Sequence, residues 1–387
     1  MGDSERGLFT ARVLSGIGEV RAADWDACAG ALNPFVCHAF LAAAEDSGSA
    51  TAAAGWMPQH IVIEDTSGRV VGAMPLYLKS HSQGEYIFDH GWADAFERAG
   101  GAYYPKFLSA APFSPVTGPR LMTRPGPEAA EARRAIIAAG VELTERANVS
   151  SLHVNFLPED EWQDLGEVGF LRRSDRQFHW FNDDYEDFDG FLGSLASRKR
   201  KAVKRERREA VDSGLTIEVL TGNDLKTTHW DSFFACYTAT TNHKWGYPYL
   251  TREFFDRLGE TMADKVVLML ASHDGTVVAG AYNMLGGDAL YGRNWGTLGY
   301  LPFLHFELCY YRAIEFAIEH GLARVEAGAQ GHHKIARGYM PVHTYSAHWI
   351  RHEGLRGAVA DYLDQERPAV DKEIEALATY APFRKGD

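Results

Sequence analysis

Cysteine is scarce in this chain, and long apolar runs are missing. The four cysteines, Cys28, Cys37, Cys236 and Cys309, are scattered through 387 residues with no CxxC pair and no Cys/His zinc spacing. Disulfides and structural zinc are therefore not expected, and reduced thiols suit a reducing compartment. No apolar stretch approaches the roughly 18 residues that a membrane span needs. The opening MGDSERGLFT lacks a basic n-region followed by an apolar one, and Arg6 stands where a myristoylation signal wants Ser or Thr. The expected location is the cytoplasm. GxSxG, Walker and Cys/His nucleophile signatures are also missing, which disfavours a covalent hydrolase or an NTPase. With 45% hydrophobic residues and no low-complexity tract, the chain reads as globular, and its length suggests two domains, or three.

A net charge of −13 argues against nucleic-acid affinity through the whole surface. One segment reverses the sign. Residues 198 to 208, RKRKAVKRERR, hold eight Lys or Arg against a single Glu. Phe188, Phe191, Leu192, Leu195, Ala202 and Val203 recur at steps of three and four, so the spacing predicts a helical segment over 188–213 with one packed side. Two readings of its charged side stand level: a solvated face, or a contact for an anionic partner such as RNA or phosphate.

A weak internal repeat organises the rest. Residues 60–78, HIVIEDTSGRVVGAMPLYL, and 267–285, VLMLASHDGTVVAGAYNML, each read as strand, Gly turn, strand at a constant offset of 207 residues. Each is followed by further strand, a helix (127–147 and 302–320), and another strand, SLHVNF or ARVEAG. Pro302 and Gly321 bracket the second helix. The repeated order predicts duplicated α/β domains with mixed sheets, 1–182 and 183–387, ending in a helical tail at 354–380.

Several segments hold groups able to do chemistry. YGRNWGTLG, 291–299, is expected as a glycine-containing loop opening a helix, where Arg293 adds charge for a phosphate; an ordinary turn competes with that reading. On the next helix Glu307, Tyr311, Glu315 and Glu319 form an i, i+4 stripe, expected to be solvated at Glu315 and Glu319, and Phe306, Tyr310, Ala313 and Ala317 can face inward. His305 and Glu307, in its first turn, are site candidates alongside core or cap roles. GAQGHHKIAR, 328–337, is expected as a loop at a strand end. Its adjacent His332 and His333 diverge and have no carboxylate at ligand spacing, so no metal is expected. What remains is one imidazole able to take a proton near pH 7, with cations to hold a negative substrate. In the first half Asp89, Trp92 and Lys106 sit among aromatics, as core or as the lining of a substrate cleft.

NPFVCHAFL, WADAF, YYPKF, PFSPVTGPRL, SRKRKAVKRERR, LYGRNWG, LPFLHFELCYYRAIEFAIEHGL, GAQGHHKIARGYMP and YSAHWI together resemble the FemAB-like N-acyltransferases over nearly the whole chain. The resemblance implies two tandem GNAT-like mixed β-sheet domains with flanking helices, a first domain for the acceptor substrate, and a basic helical segment opening the second, acyl-transferring domain. Two positions depart from that pattern: Asn294 and His332 stand where such sequences carry Tyr and Glu. Arg293, Gly296 and Leu298 also miss the last position of the R/Q-x-x-G-x-G/A motif of acyl-CoA enzymes.

The resemblance implies an acyltransferase moving an aminoacyl group from aminoacyl-tRNA onto an amine of a small molecule or envelope precursor. No bound cofactor is expected. An acyl-CoA donor is the first alternative, and a non-catalytic RNA- or precursor-binding module the second. His333, Lys334 and Glu307 are the catalytic candidates. Arg293, Trp295, Gln330, His332, Arg337 and His305, with Asp89, Trp92 and Lys106, are the substrate-binding ones. Arg198, Lys199, Arg200, Lys201, Lys204, Arg205 and Arg208 are expected to meet tRNA.

Overall fold

The computed structural model describes residues 9–211, 214–244, 246–328 and 331–384. They divide into two compact units, Met1–Asp175 with Thr344–Pro368, and Arg176–His343 with Ala369–Asp387. No helix among the described residues is long and apolar enough to cross a membrane.

In the first unit the strands Phe9–Leu14, His60–Asp65, Val70–Met74 and Met122–Thr123 form an antiparallel sheet. A second run joins Trp56–Pro58, Tyr77–Lys79 and Lys106–Ser109 antiparallel, then Lys106–Ser109 to Ser151–Leu157 in parallel. Residues 344–350 close it antiparallel to Ser151–Leu157. Ile136 and Ile137 of the helix Ala129–Arg146 pack with Ile61, Ile63, Met74 and Leu152, all buried. Burying these six side chains contributes on the order of 1.5–3 kcal/mol each.

The second unit repeats the order. Leu215–Leu220, Val266–His273, Thr276–Gly286 and Ala289–Thr297 run antiparallel. Ala289–Thr297 then pairs in parallel with Arg324–Glu326 over Ala289 to Tyr291, and Arg324–Glu326 pairs antiparallel with Phe181, Trp180 and His179. Asp274 and Gly275 both have positive φ, as the tight turn between Val266–His273 and Thr276–Gly286 requires.

The boundary expected between 182 and 183 is corrected by this pairing. Residues 344–368 belong with the first unit and 176–182 with the second, because each unit is closed by a strand from the other half of the sequence. The hairpins, the helix near 127–147, and the basic segment, seen as Phe188–Ser194 and Ser197–Val211, lie where their periodicity puts them.

Candidate active site

The two glycine-containing segments take forms other than loops. Residues 291–297 are part of the strand Ala289–Thr297, so Arg293 and Trp295 are strand residues. Gly296 is there for packing: a Cβ on it would lie 2.3 Å from the backbone of Cys236 and Tyr237 in the helix Thr227–Lys244. The phosphate-loop reading of this stretch is therefore corrected. Within GAQGHHKIAR the residues His332–Arg337 form a short helix between Gly331 (φ 120°) and Gly338 (φ 92°). Gly331 holds a backbone conformation that residues with side chains rarely adopt, and a Cβ there would push the His333 ring, 2.5 Å away, from its place. Gln330 lies outside the described residues.

This short helix sends its polar residues different ways. His333 is exposed, and its Nε2 is 2.9 Å from the Tyr310 hydroxyl. Burial of the ring, and then the nearby charges of Arg337, Lys334 and His332, hold His333 below the ordinary imidazole range, so it is neutral at pH 7. Burial pushes the Tyr310 phenol up, keeping it protonated. His332 turns elsewhere: its ring meets Phe178 edge-on, and its Nε2 is 4.0 Å from Glu373.

Lys334 is buried and donates to the carbonyl oxygens of Ala327 at 2.6 Å and Gly328 at 2.8 Å. Burial pushes its amine down to about 7, and the charge of Arg293 pushes the same way. The reading of Arg337 as a holder of a substrate anion is corrected. Its guanidinium donates to Glu206 and to the carbonyl of His333, both at 2.8 Å, and stacks 3.5 Å from the Phe306 ring centroid. It fixes the turn that carries His333.

Glu307 is also reassigned. A π-helical turn, Glu307–Tyr311, interrupts the helix between Leu304–Phe306 and Arg312–Glu319. The extra residue rotates the stripe, so Glu307 and Tyr311 are buried while Glu319 is exposed. Glu307 accepts from Arg207 at 3.0 Å and is 2.9 Å from Arg312, which leaves it an ion-pair partner and not a free base. Tyr311 donates to Glu206. Sequence reasoning gives Tyr310, Tyr311, Glu206 and Arg207 no place in a site, although a lone Glu in a run of eight cations is a signal.

Trp295 and His305 share the wall of a cavity of about 710 Å³ with Phe306. The His305 ring is 5.2 Å from Trp295 and 6.5 Å from His333, and Phe306 is 5.7 Å from His333. Arg293 is half-buried in the strand before Trp295. On the basic helix Arg207 faces inward to Glu307 and Glu315, whereas Arg198, Lys201, Lys204, Arg205 and Arg208 are exposed, and Lys199 and Arg200 partly so. Lys204 pairs with Asp189 and Arg205 with Glu209.

In the first unit Asp89 and Lys106 do not line an open cleft, whereas Trp92 borders a cavity of about 350 Å³ with Phe88, Ala95 and Arg173. Lys106 is fully buried, donating to Glu85 at 2.8 Å, Ser82 at 2.7 Å and Asp89. Tyr103 also donates to Asp89, at 2.7 Å. Trp92 packs edge-on against His348, which pairs with His153 at 2.6 Å. Desolvation raises the Asp89 carboxyl and lowers the Lys106 ammonium, but their mutual attraction outweighs it and the pair stays charged. For Asp89 and Lys106 the cleft reading gives way to a buried ion network, while Trp92 stands between that network and the cavity wall.

No curated protein matches this chain. Among solved structures, FemX shares 12% identity at a TM-score of 0.54, covering 91% of this chain and 100% of that one. The C-terminal domain of a putative lysylphosphatidylglycerol synthetase from Agrobacterium fabrum shares 11% at 0.50, covering 84% and 96%. L-PGS from Bacillus licheniformis shares 8% at 0.50, covering 92% and 98%. At such identities the likeness is one of fold. The profile of the FemAB-like family, described as peptidoglycan biosynthesis/recognition, matches residues 16–385. Two units of one pairing order, closed by exchanged strands and matched almost end to end by that profile, place this chain in the FemAB-like family.

Proposed function

We propose that the second unit transfers an aminoacyl group from aminoacyl-tRNA to an amine on an envelope precursor. Membership of the FemAB-like family makes the chain an acyltransferase; donor and acceptor are this proposal's own content. The observation that carries it is the neutral His333, hydrogen-bonded to Tyr310 and exposed beside the cavity that Trp295, His305 and Phe306 line. A neutral imidazole in that position accepts the second proton of the amine nitrogen as it bonds to the ester carbon, and its partner phenol holds the ring. FemX and the lysylphosphatidylglycerol synthetases share this fold, and the family description names peptidoglycan.

The donor ester is already reactive, so the site needs mainly to position the two substrates. One proton leaves the acceptor ammonium for solvent, and the amine nitrogen attacks the ester carbon. The C–N bond forms, the C–O bond to the ribose breaks, and the second amine proton passes through His333 to the departing ribose oxygen. Arg293 supplies positive charge near the donor's phosphates and the developing oxyanion, while the buried Lys334 amine braces the carbonyls of Ala327 and Gly328 behind His333. The exposed Arg198–Lys201 stretch supplies the contact for tRNA phosphates.

The test is mass spectrometry of candidate amines, including peptidoglycan precursors, incubated with the full chain and either charged tRNA pools or acyl-CoA pools. Mass gain with charged tRNA supports the proposal. Mass gain with acyl-CoA alone moves the donor to a thioester, and no mass gain with either returns the chain to a binding role.

A further inference from the structure

The cavity beside His333 has mainly apolar walls, with Thr240, Thr297, Tyr300 and His305 as its polar members. Trp295, Leu301, Phe303, Leu304 and Phe306 give it apolar surface, and its described lining includes no carboxylate and no Lys or Arg. His305 alone brings an imidazole, and that ring is edge-on to Trp295 and 5.3 Å from Tyr310. At about 710 Å³ the space is of the size that ordinarily takes a small ligand group. Phe303 holds a left-handed backbone, φ 60°, which bulky residues rarely adopt and which collects at ligand-contacting positions.

We infer that this cavity receives the side chain of the transferred group, and that the group is bulky and apolar: an aromatic or large aliphatic aminoacyl or acyl chain. This rests on the acyl-transfer reading of the His333 site. A glycyl, alanyl or acetyl group leaves the aromatic walls in water. A lysyl or glutamyl group takes its charge into a space without an opposite charge to meet it. An apolar side chain exchanges water for contact with Trp295, Leu304 and Phe306, and places its carbonyl toward His305 and His333. The same chemistry serves a ribose ester or a thioester.

The experiment measures binding to the full chain by calorimetry in two arms. One arm compares 3′-deoxy-3′-(L-phenylalanylamido)adenosine with its glycyl and lysyl counterparts. The other compares phenylacetyl-CoA with acetyl-CoA, and so separates the two sources. In whichever arm binds, the bulky apolar probe binds at least about tenfold tighter than the small or charged one. Ala239→Trp, placed on the exposed part of the cavity wall, shrinks that ratio. Equal or tighter binding of the glycyl, lysyl or acetyl probe overturns the inference, as does failure of every probe to bind. The transfer assay separates the two claims. Transfer without a preference for bulky apolar donors sinks the inference alone, whereas selective binding of the phenylalanyl or phenylacetyl probe with no transfer from any donor sinks the acyl-transfer reading alone.

Discussion

Glu206 Oε2 lies 2.8 Å from Nη2 of Arg337, joining the only acid of residues 198–208 to the short helix that carries His333. Tyr311 donates to the same carboxylate. The basic helix is thus held by its inner residues, Glu206 and Arg207, while its other cations stand exposed or half-exposed.

Breaking this pair strands a guanidinium that is only 8% exposed. Glu206→Gln, which removes the carboxylate charge but leaves Arg337 its bond to the His333 carbonyl, is expected to lower stability by about 1.5–3 kcal/mol, the worth of a hydrogen bond to a charged group. Urea unfolding checks it, together with a double-mutant cycle against Arg337→Met. A coupling near zero between the two positions removes the pair from the account.

His333 should control turnover more than donor binding. His333→Ala is expected to lower kcat at least about 100-fold, with a smaller loss for Tyr310→Phe, which keeps the imidazole. The base must be unprotonated to act, and the folded protein holds this imidazole below its ordinary value of 6.5. Activity therefore rises with pH through a midpoint under 6.5 and is level by neutrality. A pH profile of kcat/KM for His333→Ala with the same acid limb would assign that limb to another group.

How much of this is legible in the sequence depends on range. The Gly275 turn, the 302–320 helix and the packed side of Phe188, Phe191, Leu192 and Leu195 follow from local periodicity. The exchange of closing strands does not, because the pairing of Ser346 with Asn155 spans 191 residues of sequence and leaves no local mark. The burial of Glu307 in an ion pair is hidden for a different reason. A π-helical turn inserts one residue, and no spacing pattern announces it. Tyr310 does face inward as its spacing predicts, but its meeting with His333 depends on that same turn.

Lys334 predicts a pH dependence of stability. Its amine titrates at about 7 in the folded chain, against an ordinary lysine value of 10.5. Between those values the unfolded chain binds the proton that the folded one lacks, so stability rises with pH. Lys79, also lowered to about 7, adds a parallel rise. The buried thiols act oppositely above pH 9, so the window to use is pH 7.5–8.5. Lys334→Met should reduce the slope of unfolding free energy there by up to about 1.4 kcal/mol per pH unit. An unchanged slope means that this amine is protonated in the folded chain.

The two sides of the basic helix should separate cleanly. Changing Arg198, Lys199, Arg200 and Lys201 together to Gln is expected to weaken tRNA binding and to lower the slope of log K against log salt by about 0.7–0.9 for each phosphate no longer neutralised. Stability should change little, since these residues are exposed or half-exposed. Arg207→Gln should do the reverse, because Arg207 bonds Glu307 and Glu315. Filter binding at several salt concentrations, paired with thermal unfolding, distinguishes them. Equal effects of the two variants on the salt slope would break the division.

Gly296 decides between packing and ligand binding as the reason for a glycine in YGRNWG. A Cβ there meets backbone atoms of Cys236 and Tyr237 at 2.3 Å, and backbone cannot step aside as a flexible side chain does. The helix Thr227–Lys244 must shift off the strand Ala289–Thr297, disturbing the Thr240 hydroxyl that accepts from the Thr297 amide at 2.8 Å. Gly296→Ala is therefore expected to destabilise the fold by about 1–3 kcal/mol, the usual cost of overpacking. Gly292→Ala, whose nearest new neighbour is at 3.4 Å, should cost less. Urea midpoints of the two variants measure the difference. A stable Gly296→Ala protein that has lost only donor affinity would restore the phosphate-loop reading of this strand.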